Sequence, residues 1–206
     1  GISTEIPAIP HEYLTALPLT NEQWKQIGYK GGWHFLRMNL RQFHKKGLFE
    51  DKDFTKFVAE RIGDEEQVKR SRVFPYQLLM AWLNTGEDLP GSIRDALKAA
   101  LNYSCGNIPD FGDAKIFVCV DTSGSMKSPI TGNGETGRKG GKIPESKATC
   151  VQVASLVASC LLYKNKNTVI VPFDTKVHPA SGFSRFDVIG NAKKLAEFGG
   201  GGTYCG

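Results

Sequence analysis

The chain has 206 residues, 40% of them hydrophobic, which is enough for one large or two small hydrophobic cores. Its formal charge is +5, but residues 1–110 carry 14 basic and 14 acidic side chains, whereas residues 111–206 carry 12 and 7. No signal peptide and no apolar run of membrane length is visible, so we expect a soluble, cytoplasmic protein with no membrane partner.

The first half of the chain carries helical patterns. Four apolar side chains at helical spacing mark the buried face of one helix within residues 20–46: Trp33, Leu36, Leu40 and Phe43. Further helices are predicted over 54–62, from Pro75 to Leu83 and over 92–101. Helix pairs joined by short polar turns favour a solenoid of the HEAT type, although no repeat is regular enough to establish it.

A basic stripe lies next to the apolar face of that first helix. At 100° per residue, five side chains share the neighbouring arc: His34, Arg37, Arg41, His44 and Lys45. A second basic stretch contains Lys69 and Arg72. Such a surface binds nucleic-acid phosphates, and its histidines can stack on bases. The alternative is an ordinary solvated helix face. The acidic residues 64–66 balance the basic stretches in number and are expected elsewhere on the surface.

The second half opens with a strand followed by oxygen-bearing side chains. The apolar run 116–120 predicts a strand covered on both faces. Asp121, Ser123 and Ser125 follow it at alternate positions, so an extended backbone would point them the same way. One carboxylate and two hydroxyls suit a hard cation, so the sequence predicts a Mg²⁺ or Mn²⁺ site at this strand end.

The loop 121–125 also has three alternative interpretations. An aspartic-protease motif would place glycine directly after Thr122, where this chain has Ser123, and no second such motif occurs. A serine nucleophile would require a G-x-S-x-G elbow, which is missing here. A serine-rich turn in which Asp121 merely caps a helix is the third alternative. We therefore expect no enzymatic activity.

Residues 127–144 contain five glycines, two prolines and no apolar periodicity, which predicts a mobile insertion with a basic rim. Gly141 and Lys142 resemble part of a phosphate-binding loop, but Ile143 stands where that motif has Ser or Thr. Beyond the insertion the patterns predict a helix over 145–163 and a strand over 168–173.

A last helix is predicted over 184–198, capped by Ser184 and closed by a glycine run. The five cysteines are odd in number and form no C-x-x-C pair, so a reducing compartment fits best. Three of them lie in apolar patterns and are expected to be small, buried hydrophobic residues: Cys119, Cys150 and Cys160.

The loop 121–125 resembles the metal-ion-dependent adhesion site of von Willebrand factor type A domains, and the following elements keep that family's order. The resemblance implies that Thr203, after the glycine run 199–202, is a fourth metal ligand through its hydroxyl. It also implies that an acidic group of a partner protein can complete the coordination. The match covers about the first half of such a domain, because the sequence does not include the family's third metal loop.

The order of elements resembles the Ro autoantigen family, in which a TROVE module of HEAT-like helices forms a ring closed by a type A domain. Three stretches carry the resemblance: Leu17–Trp24, Phe35–Leu40 and Ser71–Trp82. Two positions depart from the family pattern, because Met38 stands where an arginine is usual and Phe74 where a histidine is common. The resemblance assigns 1–110 to the end of the helical module and 111–206 to the type A domain.

The same resemblance implies the function. We expect an RNA-binding scaffold that takes small noncoding RNA and the single-stranded ends of misfolded RNA on its basic helical surface, with a divalent metal in the type A domain. The alternative, from another class, is a metal-dependent protein adhesion module or chaperone cofactor in which the helices only support the metal site.

Overall fold

The structure is a computed structural model that describes residues 17–85, 88–131, 148–179 and 181–203. Within these residues the chain forms eight α-helices and two strands. In chain order they are α1 (Asn21–Lys30), α2 (Trp33–Lys45), α3 (Lys52–Ile62), α4 (Glu65–Ser71), α5 (Pro75–Thr85), α6 (Gly91–Ser104), β1 (Ile116–Asp121), α7 (Cys150–Lys164), β2 (Thr168–Phe173) and α8 (Val188–Glu197). Most of the predicted insertion, the expected helix start at 145 and Cys205 lie outside the described residues.

The chain divides into two compact units. The first contains the described residues up to 73 together with those from 84 to 100, and the second contains 74–83 and those from 101 onwards. The first unit is helical, whereas the second combines helices with a parallel sheet of two strands. The domain ranges expected from the sequence, 1–110 and 111–206, stay a prediction.

The core of the first unit is aromatic and confirms the predicted buried face of α2. All four predicted residues are at most 6% exposed: Trp33, Leu36, Leu40 and Phe43. The ring of Phe43 meets the ring of Phe54 from α3 edge-on, with 5.4 Å between centroids. A Cβ at Gly28 would lie 2.7 Å from Phe54, so only glycine permits this approach of α1 to α3.

In the second unit, β1 pairs with β2 in parallel, with Ile116 opposite Thr168 and Asp121 opposite Phe173. One side of the sheet is covered by a core that joins both strands to α7 and α8: Val120, Ala158, Leu162, Ile170 and Leu195. The other side of β1 is open, since Phe117 is 60% exposed and Cys119 is exposed. The expectation of a strand covered on both faces is therefore wrong for β1, and Cys119 is not buried.

The helices after the insertion follow the predictions in part. The described part of the first predicted helix, α7, begins at Cys150 with Thr149 as its cap and ends at Lys164. The last helix, α8, begins at Val188 rather than near Ser184, and its cap is Asp187, which accepts from the backbone N–H of Gly190. Aspartate outcompetes the upstream serine because it can cap directly before the apolar residues that pack on the sheet.

Candidate functional site

The predicted metal loop lies at the carboxyl end of β1. A carboxylate oxygen of Asp121 accepts a hydrogen bond from the backbone N–H of Ser123 at 2.8 Å, which folds the loop back on the strand end. Ser123 is 1% exposed, whereas Ser125 is exposed. The hydroxyl oxygens of these two serines lie 3.3 Å apart. The structure thus brings the two predicted hydroxyl ligands together beside the carboxylate.

This spacing can be compared with what a cation requires. Two neighbouring oxygens on an octahedral Mg²⁺ with bonds of about 2.0–2.1 Å are separated by about 3 Å. The two serine oxygens are therefore near the separation of adjacent ligands. Within the described residues no cluster of three or more His, Cys, Asp or Glu side chains has the arrangement of a metal site.

The glycine loop that precedes Thr203 is joined to the metal loop by backbone hydrogen bonds. The N–H of Gly124 donates to the carbonyl of Gly201 at 2.8 Å, and the N–H of Gly200 donates to the carbonyl of Thr122 at 3.0 Å. Gly199 has a positive φ of 67°, and a Cβ there would lie 2.5 Å from the carbonyl oxygen of Thr122. This close approach explains the glycines. Thr203 itself is exposed, two residues beyond Gly201.

A second carboxylate near these loops was not predicted as a site residue. Asp174 follows β2 directly and is 5% exposed. Its carboxylate lies 2.9 Å from Nε2 of His178 and accepts the N–H groups of Lys176 at 3.2 Å and Gly201 at 3.4 Å. Burial alone would raise the pKa of Asp174, but these three partners together lower it. Asp174 is therefore an anionic anchor for the glycine loop.

The signal for Asp174 is visible in the sequence once the sheet is known. Because parallel neighbouring strands end at the same sheet edge, the residue after β2 must lie near the residue that ends β1.

The predicted basic stripe on α2 is only partly free. Arg41, His44 and Lys45 are exposed. His34 is also exposed, but its Nε2 lies 3.1 Å from the carbonyl oxygen of Ser71. Arg37 is half-buried, and this burial lowers its pKa. The end of α2 is therefore the part of the stripe with the most accessible charge.

The second basic stretch is less available than its sequence suggests. Lys69 forms an ion pair of 2.8 Å with Glu65 and lies 4.0 Å from Glu66. The expectation that the acidic residues 64–66 lie elsewhere on the surface is wrong, because the i,i+4 geometry of α4 brings opposite charges together. Arg72 is exposed and ends α4 with a positive φ of 50°.

An open cleft of about 610 Å³ lies in the same unit, between α2, α3 and α4. Its walls include the basic side chains of His34, Arg61 and Arg70, but also the acidic side chains of Asp64 and Glu66. With both signs of charge on its walls, the cleft offers no continuous cationic track for a nucleic-acid backbone.

Comparison with known proteins identifies a fold. No known family model matches the chain, and no curated protein matches it. A comparison with solved structures shows that the chain has a Ro-like fold. The helical first unit and the parallel sheet of the second unit are parts of this fold. The structure that supports this is the Ro (RSR) protein of Deinococcus radiodurans, with a TM-score of 0.64 and 20% identity over 95% of this chain.

The match covers 40% of the Deinococcus chain, so this chain spans about two fifths of the length of that protein. At 20% sequence identity, this structural similarity establishes the fold of the chain alone. In the part of the chain that the structure describes, none of the helices has both the length and the apolar character needed to cross a lipid bilayer.

Proposed function

We propose that this protein is an RNA-binding scaffold whose principal phosphate contacts come from the exposed basic end of α2. The observation that carries the proposal is the cluster of exposed basic side chains at Arg41, His44 and Lys45 on a chain of Ro-like fold. The helical region as a whole is not basic, so a local cluster on one helix end must supply the attraction.

The finer parts of the proposal concern architecture. We assign residues 1–110 to a HEAT-like segment of a TROVE module and residues 111–206 to the first half of a von Willebrand factor type A domain. The order of the elements supports this division, because a helical region precedes a strand that ends in an Asp-x-Ser-x-Ser loop. The RNA classes we propose are small noncoding RNAs and the single-stranded ends of misfolded RNA.

Charge reversal on α2 tests the RNA proposal. The double variant Arg41→Glu, Lys45→Glu should bind a fluorescent RNA hairpin with a single-stranded 3′ tail about tenfold or more weakly than the unmodified chain at physiological salt. Both side chains are exposed, so the variant should keep its helical circular-dichroism spectrum.

The matched control reverses two exposed lysines on other helices of the same unit. Lys56 and Lys98 are 75% and 52% exposed in their side chains, so Lys56→Glu, Lys98→Glu makes the same change in net charge. Equal weakening by the two double variants would mean that net charge, and not the end of α2, determines affinity. Unchanged affinity in the α2 variant would refute the proposal.

We also propose a site for Mg²⁺ or Mn²⁺ whose ligands are Asp121, Ser123, Ser125 and Thr203. Its role is adhesion, with a further acidic group supplied by a protein partner, and the protein is not an enzyme. A bound cation would supply a coordination position for such a carboxylate. The serine oxygens at 3.3 Å and the attached glycine loop support this set. In calorimetry Asp121→Ala should abolish Mn²⁺ binding, whereas Asp95→Ala, an exposed aspartate on α6, should not.

A further inference from the structure

Two buried cysteines of the second unit lie side by side. Cys105 follows α6 in a short 3-10 turn, Cys105–Asn107, and Cys160 lies in the middle of α7. Their sulfur atoms are 2.6 Å apart, and the residues are 0% and 1% exposed. The sequence gives no sign of this pair, because 55 residues separate the two cysteines.

The surroundings hold this pair in one geometry. The thiol of Cys105 donates a hydrogen bond to the carbonyl oxygen of Leu101 at 3.3 Å, and this leaves the Cys105 sulfur as the acceptor for the thiol of Cys160. That hydrogen bond and burial raise the pKa of Cys160, so this group rests as a thiol at neutral pH. A covalent bond of about 2.05 Å would need the sulfurs to approach by about half an ångström.

We propose that Cys105 and Cys160 are an oxidation site that forms an intramolecular disulfide when the protein meets a small peroxide. The other cysteines of the described residues differ in setting, since Cys119 is exposed and Cys150 is half-buried. The proposal is independent of RNA or metal binding, because none of the residues assigned to those roles takes part.

The chemistry balances with hydrogen peroxide as the oxidant. The sulfur of Cys105 attacks one peroxide oxygen and the O–O bond breaks; the thiol proton passes to the departing hydroxide, which leaves as the first water, and a sulfenic acid remains on Cys105. The sulfur of Cys160 then attacks the Cys105 sulfur; the S–O bond breaks, and the second water carries away the proton of Cys160. Peroxide gains two electrons, one from each sulfur.

The disulfide would close a covalent ring that contains β1. The cross-link would join the turn before β1 to the helix α7, so the segment between them, including β1 and the loop 121–125, would lie within one covalent ring. A ring of this size restricts the unfolded chain and stabilises the folded one. We expect oxidation to raise the unfolding temperature by on the order of 10 °C.

The test uses the full chain with Cys119, Cys150 and Cys205 replaced by serine, which leaves only the proposed pair. After treatment of the folded protein with hydrogen peroxide and alkylation in denaturant, intact mass should show a monomer that has lost two hydrogens and takes up no alkylating reagent. Dithiothreitol should reverse both this change and the rise in unfolding temperature. The same chain with Cys160→Ala should show neither.

Two free thiols after treatment, a cross-link between two chains, or a disulfide that forms only in denaturant would each overturn the proposal. Because the triple replacement is itself a perturbation, the unmodified chain is treated in parallel and digested. A peptide that joins Cys105 to Cys160 supports the proposal, and a disulfide that instead joins Cys119 to another cysteine contradicts it.

Discussion

Arg37 and Arg41 lie one turn apart on α2 but differ in their surroundings. Arg37 is half-buried and its pKa is lowered by burial, whereas Arg41 is exposed. The methylene groups of a half-buried arginine contribute packing as well as charge. At the scale of single residues, the two arginines of one stripe therefore have different roles.

We predict that Arg37→Ala lowers the free energy of unfolding by about 1–2 kcal/mol, within the range of substitutions that lose packing. Arg41→Ala should change it by less than about 0.5 kcal/mol, as exposed substitutions usually do. Urea denaturation followed by circular dichroism measures both. Equal losses would show that the two side chains are equally embedded.

Asp51 is a second residue whose charge has a defined structural role. Its carboxylate caps α3 by accepting the N–H groups of Asp53 and Phe54, and it pairs with Lys25 of α1 at 3.0 Å. The N–H of Phe54 and the ammonium group of Lys25 lower the pKa of Asp51. Since the unfolded value is about 3.9, this stabilisation is complete above about pH 4 and is lost as the pH falls through the lower folded value.

Two substitutions of Asp51 separate its contribution as a helix cap from the contribution of its charge. Asp51→Asn keeps an oxygen that can cap the helix, whereas Asp51→Ala does not. At neutral pH both variants should unfold at a lower temperature than the unmodified chain, and the decrease should be smaller for Asp51→Asn. The gap between Asp51→Asn and the unmodified chain should narrow as the pH falls below about 4. Calorimetric melting at several pH values measures it, with Asp95→Asn as control; a gap that does not depend on pH contradicts the assignment.

At the scale of elements, the sheet has one covered and one open side. Ile170 of β2 is 2% exposed and belongs to the core with Leu195, whereas Phe117 of β1 is 60% exposed. We predict that Ile170→Ala costs about 2–5 kcal/mol of unfolding free energy. Phe117→Thr, which introduces a β-branched residue that favours strands, should cost less than about 0.5 kcal/mol. A large loss for Phe117→Thr in chemical denaturation would mean that this side is covered in solution.

The sequence predicted the positions of helices and strands better than it predicted which of their faces are buried. The spacing of Trp33, Leu36 and Leu40 identified the buried face of α2, because helical periodicity depends only on the local chain. An apolar run such as 116–120 identifies a strand, but which side is covered depends on segments distant in sequence. The same reason explains why the partnership of Asp174 with the glycine loop was missed.

At the scale of the whole molecule, charge composition is a poor guide to where charge is available. The net charge of +5 comes entirely from the second half of the chain, yet the first unit has an accessible basic cluster on α2. Lys69, which the sequence grouped with the basic residues, is paired with Glu65. Ion pairs between helix neighbours determine which charges remain available to a polyanion.

The salt dependence of RNA affinity tests the account most directly, because it counts phosphate contacts. We predict that the slope of log K against log salt for the 3′-tailed hairpin becomes shallower by about 1.4–1.8 in Arg41→Gln, Lys45→Gln, which removes two contacts. The control Lys56→Gln, Lys98→Gln should retain the original slope. An unchanged slope in the α2 variant would contradict the claim that this helix end binds the RNA backbone.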